Sequence, residues 1–342
     1  MKNKIIAVLC ALVLLVSAVG CGEKTDSSEA VSSTTSTIEN DDTDESTPDE
    51  NQSVELPSIG VSFGQNVHPF FVAMQKGIEQ ACSDYNITDL NILAADSKLE
   101  VQNTQLEDLV TMGCDVILLN PYDSDGVVNA VKNATDSGVA IFTMDINCDG
   151  STAFIASDNY EIGKMLAEYV IDQLNGEGKI AIIDGISVTS LKDRTEGFME
   201  TIGKSNIEIV AEEQTAHARD TALTSAENIL QAHSDIDAFV GINENSGMAI
   251  LSAVTSANLL DDIIITTVDA TSENMVAIRD GKVDVGVSQD PYQMGYIAVE
   301  QAIALTSGKT VESFVEVPVE YMDKDNIQTF IDREIGYGVE VD

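Results

Sequence analysis

The sequence predicts an α/β protein of two doubly wound, Rossmann-like lobes, and two observations carry the prediction. From Ser58 onward, short β-rich apolar runs alternate with amphipathic helical segments, which is the pattern of a parallel sheet covered by helices on both faces. The alternation comes in two series of the same rhythm, each long enough to bury a core of its own.

The first series places strands at Ile59–Phe63, Leu90–Leu93, Val116–Leu119, Val139–Phe142 and Phe154–Ala156, with helical periodicity over Phe71–Ala81, Gln102–Thr111 and Val127–Asn133. The second opens on an amphipathic segment at Ile162. Its strands follow at Lys179–Ile183, Ile207–Val210, Ala238–Gly241, Ile263–Thr266 and Val283–Val287. A last long helix, Met294–Leu305, and the run Phe314–Val319 come after both series and are expected to return to the first lobe. The expected lobes are therefore residues 58–158 plus 290–319 and residues 159–289 plus 320–342, with the tail from Gln328 given no firm place.

Ahead of the lobes, Lys2 and Lys4, the apolar run Ile5–Val19 and the small residues before Cys21 have the layout of an export signal over residues 1–20. The apolar run is shorter than the roughly 20 residues that span a bilayer comfortably. The segment resembles a bacterial lipoprotein signal, which implies that the Cys21 thiol is acylated and held in the membrane; Ala18 departs from the leucine usual there. An ordinary signal peptide, or a short membrane helix, is the other reading. Ser27–Ser53 is almost wholly Ser, Thr, Asp, Glu, Asn or Gln. It buries too little apolar surface to offset its ordering entropy, so residues 21–57 are expected to form a lipidated, disordered acidic tether.

The formal net charge of -41 argues against nucleic acid and against an anionic membrane surface as partners. No phosphate-binding glycine pattern follows the first strand, where Gly60 leads into Val61-Ser62-Phe63-Gly64, so no nucleotide cofactor is expected. His68, His217 and His233 have no local nucleophile arrangement. Cys82, Cys114 and Cys148 have no metal-ligand spacing, so neither a metal nor a disulfide scaffold is expected, and Cys148 is left as a free or paired thiol. The chain is expected to work as a monomer.

What stands at the strand ends is polar or aromatic, time after time, and ligands of doubly wound sheets bind beyond the carboxyl ends of the strands. The first strand feeds Gln65-Asn66-Val67-His68-Pro69-Phe70-Phe71, and the third ends in Asn120-Pro121-Tyr122-Asp123. Asp145, Ser157-Asp158-Asn159, Arg194, Asn243-Glu244-Asn245, Asp269 and Gln289-Asp290 follow. Carboxylates accept from vicinal hydroxyls, amides donate and accept, and a guanidinium offers a planar fork. Phe70 or Phe71 offers a flat face to the apolar side of a ring. Two acids against one Arg suit a polyol better than a phosphate or a dicarboxylate. Each residue also has a plainer use: one of the two Phe as core, Asn120, Asp123 and Asp269 as caps, Asp158 and Asn159 as a crossover. His68, held extended by Pro69, is expected to hydrogen-bond a hydroxyl as a neutral imidazole.

His68-Pro69-Phe70-Phe71, Leu119-Asn120-Pro121-Tyr122-Asp123-Ser124-Asp125, Ile155-Ala156-Ser157-Asp158-Asn159, Arg194-Thr195-Glu196-Gly197-Phe198 and Asp280-Gly281-Lys282 resemble the type I periplasmic binding proteins of sugar ABC transporters, nearest the ribose-binding branch. The resemblance spans about Ser58 to Val319. It implies two lobes joined by a three-segment hinge that close on one sugar and then dock on a membrane permease. It implies that Phe70 and Phe71 stack and shape, that Asn120 and Asp145 bind hydroxyls from the first lobe, and that Arg194, Asn243, Asp269 and Gln289 do so from the second lobe and hinge. Three departures bear on the ligand: His68 stands where that pattern has Asn, Ile146 where it has Arg, and Ala218 near its second-lobe Phe. They weaken the case for ribose itself and leave a hexose, deoxysugar or cyclic polyol as open choices. A sensor component that presents the closed form to a signalling partner is the rival function, and a carbohydrate-modifying enzyme a more distant one.

Overall fold

The computed structural model describes residues 56–184, 188–215 and 218–341. The expected signal, Cys21, almost all of the expected tether, and His217 lie outside the described residues.

The first sheet is opened by β1 (Ile59–Phe63), α1 (Pro69–Asp84), β2 (Leu90–Ala94), α2 (Leu99–Met112), β3 (Val116–Asn120), α3 (Val128–Asp136), β4 (Ala140–Met144) and β5 (Ala153–Ala156). The second series runs α4 (Asn159–Gln173), β6 (Glu177–Asp184), α5 (Thr189–Ile202), β7 (Asn206–Gln214), α6 (Arg219–Ala232), β8 (Ala238–Gly241), α7 (Glu244–Ala257), β9 (Ile264–Val268), α8 (Ser272–Arg279) and β10 (Val285–Ser288). The chain closes with α9 (Pro291–Thr306), β11 (Phe314–Glu316), β12 (Glu320–Met322) and α10 (Ile327–Gly336).

Among the described residues the strands form two six-stranded sheets of the same order, β11-β5-β4-β3-β1-β2 and β12-β10-β9-β8-β6-β7. The last strand distinguishes them: β11 joins β5 in parallel, whereas β12 runs antiparallel to β10. Both sheets are covered on both faces, because alternate strand residues point to opposite sides. In β3, Val116 and Leu118 enter one apolar cluster with α1 and α9, while Ile117 and Leu119 enter another with α2 and α3. In β6, Ile180 and Ile182 pack toward α4 and α5, while Ala181 and Ile183 pack toward α6 and α7. Cys82, Cys114 and Cys148 are free and buried.

The chain passes from the first sheet to the second after β5, returns after β10 to place α9 against α1, and passes again between β11 and β12. In each lobe, the helix that follows a crossing meets its neighbour through glycines. A Cβ on Gly295 of α9 would sit 2.2 Å from the Met74 carbonyl oxygen of α1, and one on Gly77 of α1 would sit 1.9 Å from the Tyr292 oxygen. In the second lobe, a Cβ on Gly163 of α4 would face the Arg194 oxygen at 1.8 Å, and one on Gly197 of α5 would face the Tyr160 oxygen at 2.0 Å. Only residues without a side chain allow backbones this close.

The tail finds a definite place. Ile327, Phe330 and Ile331 of α10 join the second-lobe core beside α8. Beyond α10 the chain reaches back to the first lobe. The Tyr337 ring stacks on Tyr292 of α9 with centroids 3.9 Å apart and planes 4° from parallel. Its hydroxyl donates to Asp290 Oδ2 at 3.1 Å, and Lys76 of α1 donates to the Gly338 carbonyl. The tail is thus a further tie between the lobes. Tyr337→Ala is expected to lower unfolding stability by about 1 to 2 kcal/mol, from the lost ring pair and hydroxyl contact. Chemical denaturation checks this, and an unchanged midpoint would show that the tie contributes nothing.

Candidate functional site

The carboxyl ends of strands from both sheets converge on a cavity of about 490 Å³, within the size range of small-molecule sites. The loop after β1 contributes Gln65 and His68, the first turn of α1 Phe70 and Phe71, and the end of β4 Asp145 and Ile146. From the other side come Val188, Ser190, Leu191 and Arg194 around the start of α5, Asn243, Glu244 and Asn245 after β8, Asp269 after β9 and Gln289 after β10.

The two aspartates hold corresponding places in their lobes. The Asp145 amide donates to the Ile155 carbonyl of β5 at 3.0 Å, and the Asp269 amide donates to the Val287 carbonyl of β10 at 2.9 Å. Both residues turn into left-handed backbone, at φ 64° and φ 77°, a conformation Asp tolerates better than most side chains. Each carboxyl is thereby lifted out of its strand's alternation and delivered to the cavity. Asp269 is not the cap of α8; Thr271 is, accepting from the Asn274 amide.

Burial raises both acids. Asp145 is pushed up to about 7 by desolvation, which outweighs the Arg194 charge that favours ionisation; Asp269 adds repulsion. Asp269 is raised for the same first reason, against Arg194, His68 and the Gln289 hydrogen bond. Gln289 Nε2 donates to Asp269 Oδ1 at 2.7 Å.

Arg194 is only 3% exposed. Its Nε and Nη2 donate to Asn159 Oδ1 at 3.2 and 2.6 Å, and Nη1 donates to the Ile242 carbonyl at 2.7 Å. Asn159, which the sequence suggests as a crossover residue, therefore sets the guanidinium's orientation. Among the described residues, two buried atoms in the same cavity lining have no hydrogen-bond partner, Asn243 Nδ2 and Gln289 Oε1. A buried polar group left unmade costs about 1 to 3 kcal/mol, so both are suited to a ligand that donates and accepts.

His68 departs from its expected role. In the neutral imidazole Nδ1 accepts from the Phe70 amide at 3.3 Å as the cap of α1, which puts the ring proton on Nε2; protonating the ring gives up this cap. Nε2 meets Glu244 Oε2 at 2.8 Å across the cleft rather than being left for a hydroxyl. Burial works against charge on His68, but the Glu244 hydrogen bond and carboxylate prevail and its pKa is raised. Glu244 is buried too, yet its pKa is lowered, by His68, by Thr271 and by Arg219. Nothing in the sequence marks Glu244 as the partner of a histidine so distant in the chain.

Phe70 is buried core with its edge at the cavity, and half-buried Phe71 stands beside it in an edge-to-face pair at 5.3 Å. Asn120 is the exception among the sequence candidates. Its Nδ2 donates to the Met144 carbonyl at 3.1 Å, and it lines a neighbouring cavity with Tyr122 and Ala218, not the one that holds Asp145 and Asp269. The cause is its position at the end of a central strand, where the adjacent β4 end takes up its side chain.

Residues 59–310 match the family described as periplasmic binding protein domain. The chain is similar to the ribose import binding protein RbsB of Bacillus subtilis (strain 168), at 30% identity over 265 residues covering 77% of this chain and 86% of that protein. It is also similar to a solved ABC transporter solute-binding protein from Bacillus halodurans C-125 with bound myo-inositol. That match has a TM-score of 0.77 and 28% identity and covers 83% of this chain and 100% of the other. A third likeness is to an ABC transporter solute-binding protein from Agrobacterium vitis with bound D-fucose, with a TM-score of 0.73, 28% identity and coverage of 79% and 96%.

Proposed function

The chain belongs to the periplasmic binding protein domain family, and from that premise we propose that it is the solute-binding component of a sugar ABC importer, taking a monosaccharide or related polyol between its lobes. The observation that carries the reading is the cavity with Asp145 from one lobe, Asp269 at the matching place in the other, and unpartnered Asn243 Nδ2 and Gln289 Oε1 beside them. Hydroxyls can bridge such groups from both sides at once. A ligand that touches both lobes stabilises the closed arrangement over the open one, and the closed form is what a permease can recognise. His68, Phe70, Phe71, Asp145, Arg194, Asn243, Asp269 and Gln289 are the proposed contacts, with Asn120 holding the Met144 strand end behind them. The cavity is a receptor site, not a catalytic one.

Relatives take different polyols: the Bacillus halodurans protein holds myo-inositol and the Agrobacterium vitis protein D-fucose. With Ile146 in the cavity wall in place of an Arg, this chain suits a hexose, deoxysugar or cyclitol as well as ribose. A thermal-shift panel of pentoses, hexoses, deoxysugars, inositols and nucleosides tests the reading. A rise in melting temperature with one sugar class and no turnover is expected; no response to any sugar overturns it. The protein acts outside the cytoplasm, and we place it at the outer face of the cytoplasmic membrane, lipid-anchored through Cys21 and monomeric. Mass spectrometry of the mature N-terminus checks the anchor: acylated Cys21 is the expected species.

The His68 and Glu244 contact adds a pH dependence to closure. His68 has a raised pKa, so its contribution is full below the ordinary value of 6.5 and fades as pH rises through the folded value. Glu244 has a lowered pKa, so its contribution is full above 4.5 and fades as pH falls through the folded value. The contact should hold best between those two values, with Asp269 reinforcing the charge on His68 and Arg219 opposing it. Glu244→Gln is expected to lose most stability relative to wild type in that window and less on either side. A melting-temperature difference independent of pH would refute the ion pair.

A further inference from the structure

We infer that the ligand carries a protonated amine as well as hydroxyls, so that the receptor's preferred class is an amino sugar or aminocyclitol rather than a neutral sugar; this deepens the sugar-binding reading and rests on it. Three carboxylates line the cavity: Asp145, Asp269 and Glu244. Glu244 is answered by His68 at 2.8 Å and by Arg219 at 3.7 Å. Asp145 and Asp269 have no ion-pair partner within 4.0 Å among the described residues. Arg194 acts on both acids through space, while three of its five N–H groups hold Asn159 Oδ1 and the Ile242 carbonyl. Neither Asp145 nor Asp269 therefore has a countercharge in contact, Arg194 and His68 acting on both only through space. A buried carboxylate so placed can take a proton, hydrogen bonds from hydroxyls or a cationic ligand.

A second observation points the same way and does not depend on the acids. Gln289 is 2% exposed and lines the cavity, and its Oε1 has no hydrogen-bond partner. The amide cannot be turned round to remove the orphan, because its nitrogen is the atom that meets Asp269 Oδ1. Asp145, Asp269 and Gln289 Oε1 together make a set of acceptors. An ammonium brings three donors and a full charge to such a set, where a hydroxyl brings one donor and none. Asn243 Nδ2 is the opposite, a buried donor without an acceptor, and asks for a ligand hydroxyl oxygen. One molecule that satisfies both has an amine and hydroxyls on a ring small enough for this space. Ile146, in the cavity wall beside Asp145, supplies apolar surface and no charge.

Matched pairs test the inference by isothermal titration calorimetry on the whole folded domain: D-glucosamine with D-glucose, D-galactosamine with D-galactose, and D-mannosamine with D-mannose. At least one amine should bind about tenfold or more tighter than its parent, the gain of a charge-assisted hydrogen bond over a neutral one. Asp145→Asn, which keeps the shape and removes the charge, should bring that ratio toward one. Asp269→Asn provides a second variant should the first fail to fold. Amine and parent binding equally, or the parent binding tighter, overturns the inference and leaves the sugar receptor standing. An amine preference unchanged in both variants overturns the assignment to these acids. If none of these pairs binds and the wider thermal-shift panel is silent as well, the sugar reading itself falls along with it.

Discussion

Asp145→Ala is expected to weaken ligand binding by about a hundredfold or more, since a hydrogen bond to a charged group is worth about 1.5 to 3 kcal/mol and this carboxyl can make more than one. The same substitution should leave the ligand-free protein at least as stable near neutral pH. Burial holds Asp145 up at about 7, so the fold works against ionisation of this group. For an acid with a raised pKa, the unfolded chain gives up its proton first. Stability therefore falls as pH rises from the unfolded value of 3.8 through about 7. Removing the acid removes that loss. Opposite signs for affinity and stability mark a group kept for its ligand rather than for the fold. Titration calorimetry and melting curves measure the two effects; unaltered affinity would remove Asp145 from the site. Asp269→Ala should weaken binding similarly with less gain in stability, because Gln289 Nε2 loses its acceptor.

Gly197→Ala is expected to lower stability by about 3 kcal/mol, the upper end of the usual cost of overpacking. The new Cβ would stand 2.0 Å from the Tyr160 carbonyl oxygen, and backbone cannot give way as a flexible side chain can. The affected helix, α5, also carries Arg194, and α4 carries Asn159, which orients it. Parting these helices should displace the guanidinium and weaken ligand binding as well. Chemical denaturation and calorimetry report both; a variant as stable as wild type would mean that the helices separate freely.

The fold is legible in the sequence because its signals are local and repeated. Alternating apolar runs such as Val116–Leu119 and Ile180–Ile183 dictate buried parallel strands wherever their neighbours lie, and the doubled rhythm dictates two sheets. The strand-end rule singles out Asp145, Asp269, Asn243 and Gln289, since the ends of parallel strands gather at one edge of a sheet. Sequence pattern misses what depends on pairs. Asn159 lies 35 residues from Arg194, and no local pattern links them. Glu244 carries no mark that sets it apart from its neighbour Asn243, and a hydroxyl is the natural expectation for His68 when its real partner is a carboxylate of the other lobe. Asn120 shares the strand-end position but not the cavity, because its amide is committed to Met144.

Short-range periodicity and residue type are enough to dictate the two-lobed α/β architecture and the polar, acidic chemistry of the strand ends. Which of those groups are already spoken for is settled only by the folded arrangement. Among the described residues Asp145 has no ion-pair partner and Gln289 Oε1 and Asn243 Nδ2 have no hydrogen-bond partner, while Arg194, His68 and Asn120 each also hold another part of the protein. A hydrogen bond or a countercharge acts over a few ångströms of space, and the chain brings its partners together from dozens to hundreds of residues apart.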